Sequence, residues 1–501
     1  MTARARCVVL VVLVVLSTTV VAAHAAPRAP SRVVSGAPDV PTATGPITGG
    51  DGEIVMRGTT FDLADVGYEA TEWFVSGTAS SFTSAKPLAR SGRWRVTPAE
   101  SSPYTTRIVV YRPVDASRFS GTTVVEWLNV SAGIDHAVSW ILAHTEMIRH
   151  GDVWVGVSAQ VDGLKGFGAT TAGLHATTVE DPARYGSLHI ASDSFSYDIY
   201  SQVGRLLRVP GAGNVLGGLD TMRLLAIGQS QSAFRLTTYI DAIQPIAEVY
   251  DGFLVHSRGS SGAALSESPQ RDVAAPEPTM IRHDLDVPVL VFTSESDLFE
   301  LGAIAARQPD RAGYRDWQVA GTAHFDAYGF TIGRPDTGNG SADAALFAAM
   351  RAPSSALTDS FVTCAAPVNT GPHHYVVAAA LAALERWVAD GTPPPHAPRL
   401  RIDRARNDVA RDEHGIAIGG IRTPQVDVPV ATLSGTGNSG CSLYGTTNAF
   451  GAEQIAGAFP SHAAFVDEWN AATERAVTAG FLLRADADHL EAVAGDSSVG
   501  S

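Results

Sequence analysis

The chain has 501 residues, 45% of them hydrophobic and 17% charged, which excludes a disordered or purely electrostatic protein and suffices for one large domain with an appendage. The formal net charge is -15 and Lys86 and Lys165 are the only lysines, so neither nucleic acid nor an anionic membrane surface is an expected partner.

The N-terminus, "MTARARCVVLVVLVVLSTTVVAAHAAPRAP", places Arg4 and Arg6 before an apolar run that ends at Ala23-His24-Ala25. A basic start, a short apolar core and a small-x-small end read as a cleaved signal peptide over residues 1–25, leaving no membrane span in the mature form. Secretion carries the chain to an oxidising compartment with two cysteines left, Cys364 and Cys441, and a single disulfide is expected between them. Closing so long a loop should stabilise the fold by about 4 kcal/mol.

Residues 26–50, rich in Pro, Ala, Gly and Thr, read as a linker or extended arm. "TEWFVSGTASSF" and "RWRVTP…TTRIVVYRP" have the character of antiparallel strands. From Gly121 the rhythm changes. "TTVVEWLNV" and "DVWVGVSAQ" are nearly continuous apolar runs, as expected of strands covered on both faces. Between them Asp135 is positioned to cap a helix that buries Trp140, Ile141, Met147 and Ile148. Residues 161–192 are weakly patterned, and "SFSYDIYSQVGRLLRV" returns to helix. The strands "RLLAIGQS", "EVYDGFLVHS", "VPVLVFTSES" and "RDWQVAG" follow, with a helix from about Ser232 after the first. This alternation predicts an α/β protein with a mostly parallel sheet flanked by helices. "HHYVVAAALAALERWVADGTPPP" is a helix with Val377, Leu381, Leu384 and Val388 on one face, stopped by Gly391 and Pro393. Residues 51–393 thus form the predicted catalytic domain and 394–501 a C-terminal extension packed on or covering it. Within that extension "GGIRTPQVDVPVATLSG" reads as extended and "SHAAFVDEWNAATERAVTAG" as helical.

"AIGQSQS" joins a buried strand to a helix, the context that turns a serine between small neighbours into a nucleophile elbow. Gly228 is one small neighbour; Ser232 stands where a second glycine is usual. A serine hydroxyl at the tip, Ser230, needs a base and a group to orient that base. Elbows of this kind are followed in chain order by an acid after a later strand and a histidine after the last one. "VPVLVFTSESDLFE" supplies Asp297, with Glu295 as the alternative acid, and "WQVAGTAHFD" supplies His324. Oxyanion donors are expected from the Gln231 N–H and from the loop after "TTVVEWLNV", at Val130 and Ser131. Asn129-Val130-Ser131 is also a glycosylation sequon, but its place against a buried strand argues against a glycan. His283, His373 and His374 lack metal-ligand spacing, and neither a metal nor an organic cofactor is expected.

The stretches "VVEWLNVSAG", "WVGVSAQ", "DPARYGSL", "SYDIYSQVGR", "IGQSQSA", "VAGTAHFD" and "GGIRTPQVDVPVA", with the Cys441 region, resemble the α/β-hydrolase superfamily. They are more closely similar to a bacterial group of secreted proteins labelled "alpha/beta hydrolase domain". The resemblance runs from about Gly121 to the C-terminus and implies an α/β-hydrolase fold with Ser230 and His324 in catalytic positions. It implies no substrate, since one scaffold hosts many acyl-transfer chemistries. The function expected is a secreted serine esterase acting on a small-molecule ester through an acyl-enzyme. An amidase or acyltransferase with the same triad, or an inactive secreted binding protein, are the alternatives.

Overall fold

The computed structural model describes residues 40–167, 175–210, 214–356 and 363–501. The expected signal peptide, most of the 26–50 stretch and part of 161–192 lie outside them. Among the described residues no helix is long and apolar enough to cross a membrane.

Nine strands form one sheet: β1 (Thr42–Thr44), β2 (Tyr68–Thr83), β3 (Thr97–Pro113), β4 (Thr122–Trp127), β5 (Val153–Val157), β6 (Arg223–Gln229), β7 (Gly252–His256), β8 (Val289–Thr293) and β9 (Tyr314–Gln318). Their spatial order is β1-β2-β3-β5-β4-β6-β7-β8-β9. The first three pair antiparallel, and β3 meets β5 antiparallel. From β5 to β9 every pairing is parallel. The chain therefore runs outward from β4 to β5 and then returns to β4's other side as β6. At such a reversal the loops after β4 and β6 diverge and leave a crevice at the carboxyl ends of the strands.

The parallel strands are buried on both faces because side chains alternate between two cores. Leu225, Ile227, Leu254, Leu290 and Phe292 face one core, whereas Leu224, Ala226, Phe253, Val255 and Val291 face the other. The first core is covered by helices α1 (Val138–His150) and α5 (His373–Asp390), the second by α2 (Ser196–Arg208) and α3 (Gln231–Thr238). The short helix α4 (Glu295–Phe299) follows β8. Residues expected to give α5 a single apolar face instead belong to a helix buried almost all round, with Tyr375 to Leu384 all inaccessible. The reason is that residues beyond 394 lie on its other side. Trp469, Phe465, Leu433 and Phe450 share the first core with α5. The Trp317 indole donates to the Pro395 carbonyl, and Val319 bridges to Ile421, so this stretch also covers the edge beyond β9. "PQVD" is a short helix rather than extended chain, Pro424–Asp427, with its proline at the favoured first turn. Helices α6 (His462–Thr478) and α7 (Arg484–Asp496) close the chain. Cys364 and Cys441 form a disulfide across 77 residues, tying the loop before α5 to this C-terminal stretch.

The predicted capping of α1 needs correction. Asp135 does not cap it; its carboxylate pairs with the buried Arg107, 2.9 Å away. The α1 N-terminus is capped from β4, where Glu126 accepts the N–H groups of Ser139 at 2.7 Å and Trp140 at 2.9 Å. It also accepts the Trp154 indole N–H at 3.0 Å. Burial pushes the Glu126 carboxyl up from 4.5 to about 7, against the pull of those donors. The folded protein thus holds this proton to higher pH than the unfolded chain, and the group's contribution to stability falls as pH rises from about 4.5 to about 7. In Glu126→Gln that titration is gone. Urea unfolding at about pH 5 and about pH 8 should show the stability of the native protein relative to the variant decreasing. A relative stability that stays level or increases would contradict the assignment.

Candidate active site

Ser230 occupies the turn between β6 and α3 with φ 59° and ψ -120°. A side chain at positive φ costs on the order of 1–3 kcal/mol, and the surroundings must hold it there. The Ser230 N–H donates to the His256 carbonyl of the neighbouring β7 end, and its carbonyl accepts the Phe234 N–H of α3. The turn is tight. A Cβ on Gly228 would stand 3.0 Å from the Ser232 carbonyl oxygen and 3.1 Å from its Cβ. Gly228 and the fully buried Ser232 are small because they touch each other.

His324 follows β9 and Asp297 lies in the first turn of α4, both at the strand ends that also present Ser230. Ser230 Oγ is 2.8 Å from His324 Nε2, and His324 Nδ1 is 2.6 Å from Asp297 Oδ1. Asp297 is fixed by a capping box: its Oδ2 accepts the Ser294 N–H at 2.7 Å, and its own N–H donates to Ser294 Oγ. Burial acts to raise the Asp297 carboxyl, but the neighbouring His324 and the Ser294 donors outweigh it and hold the group below its ordinary value. An ionised carboxylate against Nδ1–H leaves Nε2 of a neutral imidazole free to accept the serine proton.

Glu295 is not brought to the histidine. Two residues before Asp297 on the same helix, it faces elsewhere. Its carboxylate accepts the N–H groups of Gly321 at 2.6 Å and Gly435 at 3.0 Å and pairs with Arg411 at 3.1 Å. Burial raises its carboxyl and Arg411 opposes the shift. Glu295 thereby ties the turn after β8 and the turn leading to His324 to the C-terminal stretch.

Of the expected oxyanion donors, Gln231 is the first residue of α3, where an N–H has no partner within its own helix. Val130 follows β4 across the crevice, and the Ser131 N–H is already donated to Asn129 Oδ1 at 2.9 Å. Asn129 is buried, and its Nδ2 donates to the Gln229 carbonyl at 3.0 Å, which ties the loop after β4 to the elbow and leaves no room for a glycan. Gln229 in turn donates to the His324 carbonyl at 3.2 Å. Trp127 and Trp140 are fully buried in the cores and line no open pocket wall. The Trp127 indole donates to Gln160 Oε1, which also accepts Gln231 Nε2 at 2.8 Å.

Sequence reasoning missed a buried histidine pair beside the site. His373 Nδ1 lies 2.8 Å from the Ala323 carbonyl, and its Nε2 lies 2.6 Å from His256 Nε2. Burial lowers both, most for His256, so both rings are neutral. They prop the residue before His324 from beneath. No periodicity marks such a pair, because its members are over a hundred residues apart. His283 is exposed, and His374 stacks on Tyr328 at a 3.6 Å centroid separation.

No curated protein matches the chain. Among solved structures, two fungal esterases from Rhizomucor miehei are represented by a match at 12% identity, covering 55% of this chain and 85% of that one, TM-score 0.27. A dienelactone hydrolase from Anabaena variabilis matches at 10% identity, over 43% of this chain and 80% of that one, TM-score 0.24. The family model described as "Alpha/beta hydrolase domain" matches residues 43–492, the sheet, the elbow and the C-terminal stretch together, and the chain belongs to that family.

Proposed function

We propose that the protein is a secreted serine hydrolase of carboxylic esters, with Ser230 as nucleophile, His324 as general base and acid, and Asp297 as the group that orients the imidazole. The observation that carries this reading is the continuous contact from Ser230 Oγ through both nitrogens of His324 to Asp297 Oδ1, at 2.8 and 2.6 Å. Ser230 attacks the ester carbonyl while His324 Nε2 takes its proton. The Gln231 N–H and the Val130 N–H stabilise the tetrahedral oxyanion, Ser131 being excluded by its bond to Asn129. The alkoxide leaves with the proton from His324, and water, deprotonated by the same nitrogen, releases the acid. The sequence uses no cofactor. Residues 1–25 direct export, and the Cys364–Cys441 disulfide suits an oxidising compartment.

The test is incubation of the mature protein with a fluorophosphonate and mass mapping of the adduct, beside chromogenic esters of increasing acyl length and the matching anilides. One adduct on Ser230 with ester turnover is expected. An adduct with anilide turnover alone would favour the amidase reading, and a folded protein that takes no label would favour a binding role.

A further inference from the structure

At the opposite end of the sheet from Ser230, three side chains from separate elements converge. His150 is the last residue of α1, Asp152 precedes β5, and Glu385 lies on α5. Because β5 and β6 both run parallel to β4, the start of β5 and the end of β6 lie at opposite edges, separated by the strand length, roughly 17 Å for five residues. His150 Nδ1 is 2.7 Å from Asp152 Oδ1 and 3.1 Å from Glu385 Oε2. One ligand atom from each residue can be chosen so that all lie within 4.8 Å of one another.

We propose that His150, Asp152 and Glu385 form a binding site for a divalent transition-metal ion, with Zn²⁺ the best-matched ion, distinct from the hydrolytic centre. The first argument is the donor set. One imidazole and two carboxylates are three ligands of the kind zinc takes, with a fourth position open to water on the side where His150 is partly exposed. In a tetrahedral site at zinc–ligand distances near 2.0–2.1 Å the ligand atoms stand ~3.3 Å apart, so the 2.7 and 3.1 Å separations would open by about 0.6 and 0.2 Å.

An independent observation points the same way. Asp152 Oδ2 and Glu385 Oε1 are both buried and accept from no amide, hydroxyl or cationic group among the described residues; the two carboxyl groups hydrogen-bond each other. Unpartnered buried acceptors are costly, and the positive charge of an ion held by the other oxygen of each carboxyl would offset that cost. The nearby cation Arg223 is occupied elsewhere, donating to Thr122 Oγ1 and the Ser120 carbonyl. Outer groups hold the ligands in place: Ser120 Oγ donates to Asp152 Oδ1 at 2.6 Å, and the Tyr68 hydroxyl donates to the Asp152 carbonyl. The α1 C-terminus adds its negative dipole end. Gly151, at φ 84°, makes the turn that brings positions 150 and 152 together; a Cβ there would collide with the Arg118 carbonyl. An ion here would join α1, β5 and α5.

The experiment uses the full mature protein, stripped with chelator and titrated with ZnSO₄ by calorimetry, with elemental analysis after gel filtration. One equivalent bound at micromolar or tighter affinity is expected, with a rise in Tm. His150→Gln, at a partly exposed position, should weaken binding by at least about 10–100-fold, the cost of losing even an outer partner of a ligand, as should Glu385→Gln. Absence of uptake by the native protein at millimolar ZnSO₄ would overturn the proposal. So would unchanged uptake by folded His150→Gln, which would place the zinc on other surface groups. If Glu385→Gln does not fold, the His150 variant decides alone.

Discussion

Asp297→Asn is expected to lower kcat for an ester by about 10⁴-fold, while Glu295→Gln is expected to leave the pH profile of kcat/KM in place and lower the unfolding free energy by on the order of 3 kcal/mol. The two carboxyls are both buried and two residues apart, yet they face different partners. Asp297 Oδ1 lies 2.6 Å from His324 Nδ1, so an amide in its place favours the wrong imidazole tautomer and leaves Nε2 protonated against Ser230. Asparagine keeps the size of the side chain, and the Ser294 N–H can still be accepted, so the loss should fall on the chemistry. Glu295 makes no contact with the histidine. Its glutamine variant leaves Arg411 the longer ion pair with Asp408, at 3.5 Å, and sets an amide donor against one of the Gly321 and Gly435 N–H groups. That loss is structural, to be read in urea unfolding with turnover measured on the folded fraction. Were the effects reversed, Glu295 would be the orienting acid and the proposed triad would fail.

The parallel strands from β4 to β9 were legible because burial on both faces writes them as continuous apolar runs bounded by turn residues. The order of Ser230, Asp297 and His324 was legible because each follows such a run, and the ends of parallel strands lie on one edge of the sheet. Part of what escaped was set by partners distant in sequence. Asp135 stands just before α1 and has the right chemistry to cap it, yet Arg107 claims its carboxylate, and Glu126 does the capping from a strand. Glu295 has the right chemistry for a triad acid, but its partner Gly435 comes 140 residues later, in a stretch whose pairing no local pattern reveals. Ser131 was a reasonable oxyanion donor until the sequon asparagine beside it took its N–H. Asp135 was assigned to the helix beside it when a buried group elsewhere made the stronger bond, whereas the Ser131 N–H was taken by a local turn.

Ser230→Ala is expected to remove ester turnover by about 10⁶-fold, and Ser230→Gly to do the same while giving a protein about 1 kcal/mol more stable than the alanine variant. Both substitutions delete the hydroxyl and its 2.8 Å contact with His324 Nε2, so that loss cancels when the two variants are compared. What differs is the Cβ. Alanine retains it at φ 59° and ψ -120°, at a cost on the order of 1–3 kcal/mol, and glycine adopts that backbone freely. Glycine also loses roughly 0.5–1 kcal/mol through the greater freedom of its unfolded chain, which leaves a net gain near 1 kcal/mol. Urea unfolding of both variants and turnover of a chromogenic ester check the two halves separately. Undiminished turnover by Ser230→Ala would remove the nucleophile from the mechanism. A glycine variant less stable than alanine would mean the turn is held without strain. If both results are as expected, the protein keeps its nucleophile in a conformation that folding alone disfavours. Projecting Oγ above the sheet toward His324 is then what selects that conformation, since the sequence has a more stable residue available for the position.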